Sequence, residues 1–339
     1  MKRVTLKEVA AKAGVSFKTV SYVLNNGESV SPAMRETVMH AVRALDYQPN
    51  QAARNMRLNQ SFTIAFVSHG SHASTLNDPG IARILPAVIS TLEQAGYSLI
   101  FRDTQFDGLL SVEWIRTSML QRRIDGAILL TLLPDAELEK LAQANAAMVV
   151  LDRPNLSPSI PVVRIEYREG IASAVRYLAE RGRSRIAFVG GPSVTEWSDF
   201  HNVERYAGYR AGIKAIGLEY DDNLVVRSDY SYEGGRIALR QLLPVKPDAI
   251  VAASDRMAIG ILNEAKSVGL RIPEDVSIVG FDNHEFATFT DPPLTTVHSP
   301  LEEFGTEAAK LLLARLREHQ VAGSERVTLA TKLIQRGSA

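Results

Sequence analysis

From Phe62 onward the chain alternates short apolar runs with stretches of helical period, and this alternation limits the possible folds more than any other feature. The runs Thr63 to Val67, Ser98 to Arg102, Ala127 to Leu130, Met148 to Leu151 and Val162 to Ile165 read as strands. Between them, Ile81 to Gln94, Val112 to Gln121 and Ala136 to Asn145 read as helices. Strands that are apolar throughout are buried on both faces, as in a parallel sheet covered by helices. A second series follows, with strands Ile186 to Val189, Leu224 to Val226, Ala249 to Ala252 and Val276 to Phe281. Its helices are Glu169 to Glu180, Val203 to Ile216, Glu233 to Leu243 and Met257 to Val268. The expected fold class here is α/β, with two doubly wound parallel sheets forming two lobes.

The segment before Phe62 has a different texture. Leu6 to Ala13 has helical period, starts at the capping residue Thr5 and stops at Gly14. Ser16 to Asn25 is a second short helix, with Val20, Val23 and Leu24 on its apolar stripe and Phe17, Lys18, Ser21 and Tyr22 on the other side. Two helices across the tight turn Gly14-Val15-Ser16 predict a helix-turn-helix, whose second helix enters the major groove of DNA. Ser31-Pro32 opens a third helix to Leu45, completing an all-α headpiece that ends near Tyr47.

Two ordinary amphipathic helices would give the same periodicity, so charge is the useful discriminator. Residues 1 to 60 carry nine Lys and Arg against four Asp and Glu. The whole chain balances at 38 against 38, leaving 29 basic and 34 acidic residues in the remainder. Basic charge concentrated at one end points to a polyanionic partner. At 339 residues the chain suggests two or three domains, and 45% hydrophobic residues supply a large core. It contains no cysteine, so disulfides and thiolate metal sites are excluded. Glu8 and Lys12 interrupt any apolar run near the N-terminus, and no apolar stretch approaches the length of a membrane span. A soluble, cytoplasmic protein with no membrane partner is expected.

The N-terminal stretch VTLKEVAAKAGVSFKTVSYVLN, followed by VS and then LDYQPNQAAR, resembles the signature of the LacI/GalR family of bacterial transcriptional repressors. VGGP, RYAGYRAG, SDRMAIG, SIVGFDN and DPPLTTV follow in family order, so the resemblance covers essentially the full chain. It implies a periplasmic-binding-protein-like domain behind the headpiece and a small-molecule effector, a sugar or sugar derivative, held between the lobes. It also implies a homodimer on a palindromic double-stranded DNA operator. The expected domains are a headpiece at 1–47, a hinge at 48–60 and an effector-binding domain at 61–339. Lobe one would take about 61–166 and 296–325, including a helix Glu302 to His319. Lobe two would take about 167–295 and 326–339, with crossings near Thr295 to His298 and near Arg326. In the hinge Met56 stands where the family usually has leucine, the apolar wedge for a minor-groove step.

The residues expected at DNA are Thr5, Ser16, Phe17, Lys18, Thr19, Ser21, Tyr22, Asn25, Asn50, Ala53, Met56 and Arg57. Phe17, Lys18 and Tyr22 would read bases, and the short hydroxyls of Ser16, Thr19 and Ser21 suit phosphates. Arginine often stands where this chain has Tyr22, so a different half-site is expected. Ligands of open α/β sheets bind at the carboxyl ends of the strands. That rule and the resemblance give the expected effector residues His69, Asp152, Arg205, Tyr230, Ser254, Asp255 and Asp282. The family counterparts of Arg205 and Asp282 commonly bind effector, and that of Tyr230 often stacks on it. Asp255, directly before a helix, reads equally well as a helix cap. Trp197, in the segment 193–204 that looks longer than in the best-known members, fits stacking on a ring and packing its own loop equally well.

Nucleophile-elbow, P-loop and dinucleotide-binding motifs are all missing from the sequence, so no enzyme and no cofactor are expected. His69 and His72 have a spacing that could join in a metal site. With no further ligand nearby they read as solvated loop histidines, and no metal is expected. A transporter's solute-binding protein shares the two-lobed architecture, but would require a signal peptide and no basic headpiece.

Overall fold

The computed structural model describes residues 4–24, 30–48, 55, 58–69, 77–104, 108–130, 133–153, 156–192, 200–318 and 325–339. The chain divides into two compact units, Met1–Ser61 and Phe62–Ala339. The expected contacts Asn25, Asn50, Ala53, Met56 and Arg57 lie outside the described residues, as do Trp197 and the side chain of His69.

In the first unit, helices α1 (Leu6–Ala13), α2 (Phe17–Leu24) and α3 (Pro32–Ala44) enclose a small core of Val9, Val20, Val23, Val38, Ala41 and Tyr47. Each helix start follows from its sequence. Thr5 and Glu8 form a reciprocal cap: the Thr5 amide donates to Glu8 Oε2 at 2.7 Å and the Glu8 amide to Thr5 Oγ1 at 3.3 Å. Ser16 Oγ accepts the Thr19 amide at 3.1 Å, and Ser31 caps α3 with Pro32 in its first turn. Gly14, at φ 68°, takes the left-handed conformation that ends α1 and makes the turn into α2. Packing against α1 and α3 buries Val20 and Val23, so Phe17 and Tyr22 are left 49% and 56% exposed. Two exposed aromatics on so short a helix do nothing for the core.

The second unit contains the strands β1 (Thr63–His69), β2 (Ser98–Thr104), β3 (Gly126–Leu130), β4 (Met148–Leu151), β5 (Val162–Ile165), β6 (Ile186–Gly190), β7 (Val225–Arg227), β8 (Ala249–Ala252), β9 (Ser277–Asp282), β10 (Thr295–His298), β11 (Arg326–Leu329) and β12 (Lys332–Ile334). Its helices are α4 (Pro79–Gln94), α5 (Gly108–Leu120), α6 (Asp135–Gln143), α7 (Tyr167–Glu180), α8 (Phe200–Ala215), α9 (Tyr232–Leu242), α10 (Asp255–Ser267) and α11 (Leu301–Glu318). Among the described residues the strands form two six-stranded sheets, ordered β11-β5-β4-β3-β1-β2 and β12-β10-β9-β8-β6-β7. The two orders are topologically the same. Central strands are buried along their whole length, as at β4, β6 and β8, because helices cover both faces.

Three expectations about the lobes need correction. Strand β10 pairs along its whole length with β9 in the second sheet, so Thr296 to His298 belong to lobe two. Strand β11 pairs with β5 in the first sheet, from Arg326↔Val162 to Leu329↔Ile165, so the return crossing falls between Leu329 and Lys332. Finally, β12 runs antiparallel to β10, so the second sheet is not wholly parallel. The last two concern a sheet edge, where one neighbour is missing and burial is slight, whereas β10 is buried between β12 and β9 and its two threonines keep it from standing out as an apolar run. Only Leu329 of β11 is buried, so there is no apolar run to read.

Candidate functional site

In each sheet the direction in which strands are added reverses once, at β1/β3 and at β6/β8. Helices diverge at such a point and leave a crevice at the carboxyl ends of the strands. The strand ends of both lobes line one cavity of about 370 Å³, within the range of small-molecule sites. Ser68, Leu130 and Asp152 line it from the first lobe, and Tyr230, Ser254 and Asp282 from the second. Asp152, Tyr230 and Asp282 have φ of 52°, 63° and 100°, a region L-residues seldom occupy. Such backbone strain persists only where the surroundings enforce it, and it gathers at binding sites. Gly191 makes room for Tyr230: a Cβ there would lie 2.3 Å from the tyrosine ring.

Arg205 and Asp282 meet in the cavity wall. Arg205 comes from α8 and Asp282 from the end of β9, and Arg205 Nη2 donates to Asp282 Oδ1 at 2.9 Å. The guanidinium lies 4.4 Å from the Phe281 ring centroid and 4.9 Å from that of Tyr167, and the residue is 6% exposed. Burial works against its charge. The Asp282 carboxylate, with the Tyr230 and Tyr167 hydroxyls, more than offsets this and holds the Arg205 pKa above its usual value. The other Asp282 oxygen, Oδ2, lies 3.8 Å from His284 Nε2. Burial lowers the His284 pKa, so its ring is neutral near pH 7. A permanent cation and a carboxylate side by side, flanked by aromatic faces, are suited to hydroxyl groups, which both donate and accept.

Asp152 is shaped by its neighbours. Its Oδ2 accepts from the Tyr167 hydroxyl at 2.8 Å, and its Oδ1 from the Ile165 amide at 3.2 Å. Burial, with the charge of Asp152, raises the Tyr167 pKa well above normal, keeping the hydroxyl protonated as a donor. Ser254 lines the cavity and caps α10 through the Met257 amide.

Asp255 is not in the cavity wall, which corrects its place among the expected effector residues. It is fully buried one step further into α10, accepting from Thr296 Oγ1 at 2.5 Å and from the His284 amide at 2.7 Å. Burial, and then the nearby Asp282, push its pKa up to about 8, so it is protonated at neutral pH. Sequence reasoning missed Tyr167, Asp78, Gly80, Arg256 and His284, all of which line the cavity. The signal for two of them was the Asn77-Asp78-Pro79-Gly80 start of α4, where Asp78 Oδ1 accepts the Gly80 and Ile81 amides. Among the described residues no group of three or more potential ligands is placed to hold a metal ion. No described helix is long and apolar enough to cross a membrane.

A helix-turn-helix unit joined to a two-lobed α/β unit with a ligand-sized crevice defines a DNA-binding regulator that responds to a small molecule. Residues 5–50 match the model of the bacterial regulatory proteins of the lacI family, and residues 175–339 match that of a periplasmic binding protein-like domain. The chain is 36% identical over 344 residues to the HTH-type transcriptional regulator CelR of Thermobifida fusca, covering 99% of this chain and 98% of that one. A solved complex of CelR with cellobiose superposes with a TM-score of 0.73 at 33% identity, covering 99% of this chain and all of that one. The lac repressor dimer bound to operator and the anti-inducer ONPF superposes with a TM-score of 0.85 at 28% identity, covering 99% of each chain. The chain belongs to the lacI family of bacterial regulatory proteins, and it is a DNA-binding transcriptional regulator with an effector site.

Proposed function

We propose that the protein is a repressor that binds a palindromic operator as a homodimer and is controlled by a sugar or sugar derivative held between its lobes. The observation that carries this reading is the buried Arg205–Asp282 pair, at strand ends whose backbone is strained. Around it Tyr230 and Tyr167 provide ring faces, and Asp152 and Ser254 line the same cavity. The CelR–cellobiose complex supports a carbohydrate ligand, and the operator-bound lac repressor supports a dimer. At DNA, Phe17, Lys18 and Tyr22 read bases, Thr5, Ser16, Thr19 and Ser21 approach phosphates, and Asn25 and the hinge residues Asn50, Ala53, Met56 and Arg57 complete the contact. Since its target is DNA, the protein works in the cytoplasm. It is no enzyme: coupling between two binding events is its whole function.

The test combines operator selection from a random DNA pool with a thermal-shift panel of cellobiose, D-glucose, D-ribose and their acid and phosphate derivatives. A ligand specific for the folded state raises the melting temperature as its concentration passes the dissociation constant. The expected outcome is one or a few sugars that shift the melt and change the affinity for the selected operator. A panel without effect, or a pool that yields no palindrome, would sink the proposal.

A further inference from the structure

Helix α4 starts at the cavity and carries Arg83 about one turn inside it. The partners of Arg83 belong to different lobes. Its Nε and Nη2 donate to Oε1 and Oε2 of Glu302, both at 2.7 Å, on α11 of the first lobe. Its Nη1 donates at 2.9 Å to the main-chain carbonyl of Asp282, at the end of β9 in the second lobe. That carbonyl belongs to the residue at φ 100°, whose side chain is bonded to Arg205 on α8. Asp282 is thus tied through its side chain to its own lobe and through its backbone to the other.

The geometry calls for a guanidinium. Two parallel donors lock onto a carboxylate while a third, in the same plane, points elsewhere, an arrangement no ammonium reproduces. An ion pair with Glu302 alone, on an exposed carboxylate, would contribute little. The third bond changes its meaning, because it fixes a strained peptide from across the cleft. Any ligand that pulls on Asp282 then pulls on α4, and through Glu302 on α11.

We propose that Arg83 is a positioning residue that sets the spacing of the lobes by holding the Asp282 peptide, and so passes ligand contact at Asp282 to α4 and α11 of the first lobe. This rests on the cleft being the ligand site, but its test needs no ligand. The chain has no cysteine, so Gln94→Cys in the first lobe and Glu219→Cys in the second, both exposed, give one spin-label pair with a label on each lobe. Dipolar distances are measured on the full chain, diluted with unlabelled protein so that only intrachain pairs are read. The starting double-cysteine protein should give a single narrow distribution. Arg83→Ala should give a distribution longer in mean and about twofold broader, as a hinge released from one restraint would. Arg83→Lys, able to satisfy one side at a time, should fall between the two. Arg271→Ala, which breaks a pair with Asp275 inside the second lobe, is the control and should leave the distribution unchanged. The proposal is overturned if Arg83→Ala matches the starting protein, or if Arg271→Ala broadens the distribution equally. Unfolding midpoints by circular dichroism establish that every variant is folded. A sugar panel without effect would remove the ligand reading and leave this comparison of distances intact.

Discussion

Ser254 and Asp255 are adjacent in sequence, yet one faces the cavity and the other is sealed beneath it. At a helix start one residue is a rotation of about 100°, which composition and spacing do not reveal. The same limit hid Tyr167, whose place in the cavity depends on its bond to Asp152 and not on any motif. Asp255 also makes a testable statement about pH. Its folded pKa, about 8, lies above its ordinary value of 3.8. Between those values the folded chain keeps a proton that the unfolded chain has lost. Stability therefore falls as pH rises through the window, by up to about 1.4 kcal/mol per pH unit, and the effect vanishes below it. Asp255→Asn preserves shape and a carbonyl acceptor for the His284 amide while removing the titration. Urea unfolding at several pH values should show the variant gaining on the natural chain from pH 5 to pH 8. A constant difference across that range would mean Asp255 does not titrate as inferred.

Secondary elements were the most legible level of this chain. The nine strands read from apolar runs and the helices between them fall within a few residues of their places in the structure, because most are long or wholly buried. What escaped were β10, buried but half threonine and expected only as a crossing between lobes, and β11 and β12, short and largely exposed, held by the sheet edge and not by their own pattern. The close approach of helices was equally unreadable. Helix α8 packs on α7 through Gly208 and Gly212. A Cβ at Gly208 would lie 2.3 Å from the Arg168 carbonyl, and one at Gly212 would lie 2.8 Å from Val175 Cβ. Gly208→Ala forces backbone off backbone, and overpacking of this kind costs about 1–3 kcal/mol. Since α8 also carries Arg205 three residues earlier, the displacement reaches the cavity. Calorimetry should show a lower melting temperature for Gly208→Ala, and the sugar found in the thermal-shift panel should bind it more weakly. A variant with both quantities unchanged would mean that α8 can move freely without disturbing the site.

At the scale of the whole molecule, the two units carry the two activities: the exposed face of α2 lies in Met1–Ser61 and the cavity lies in Phe62–Ala339. A change confined to the cavity therefore has no direct way to alter a DNA contact. It acts only through linkage, and linkage is reciprocal: the factor by which ligand alters operator affinity equals that by which operator alters ligand affinity. Asp282 is the place to test this. Truncation to alanine would leave the Arg205 charge buried and unpaired, typically a loss of about 3–5 kcal/mol, and would confuse binding with unfolding. Asp282→Asn keeps an acceptor for Arg205 and removes the charge. A charge-assisted bond contributes about 1.5–3 kcal/mol, so losing its charge should weaken ligand binding roughly tenfold. Operator affinity without ligand should stay at the natural value, because the α2 face is untouched. In an anisotropy titration on labelled operator, the Asp282→Asn response should follow the same curve displaced to roughly tenfold higher sugar concentration. Coincident curves would remove Asp282 from the ligand site. A change in ligand-free operator affinity would mean that the Arg205–Asp282 pair itself sets the balance between DNA-binding states, with the sugar acting on a switch that the protein already holds closed.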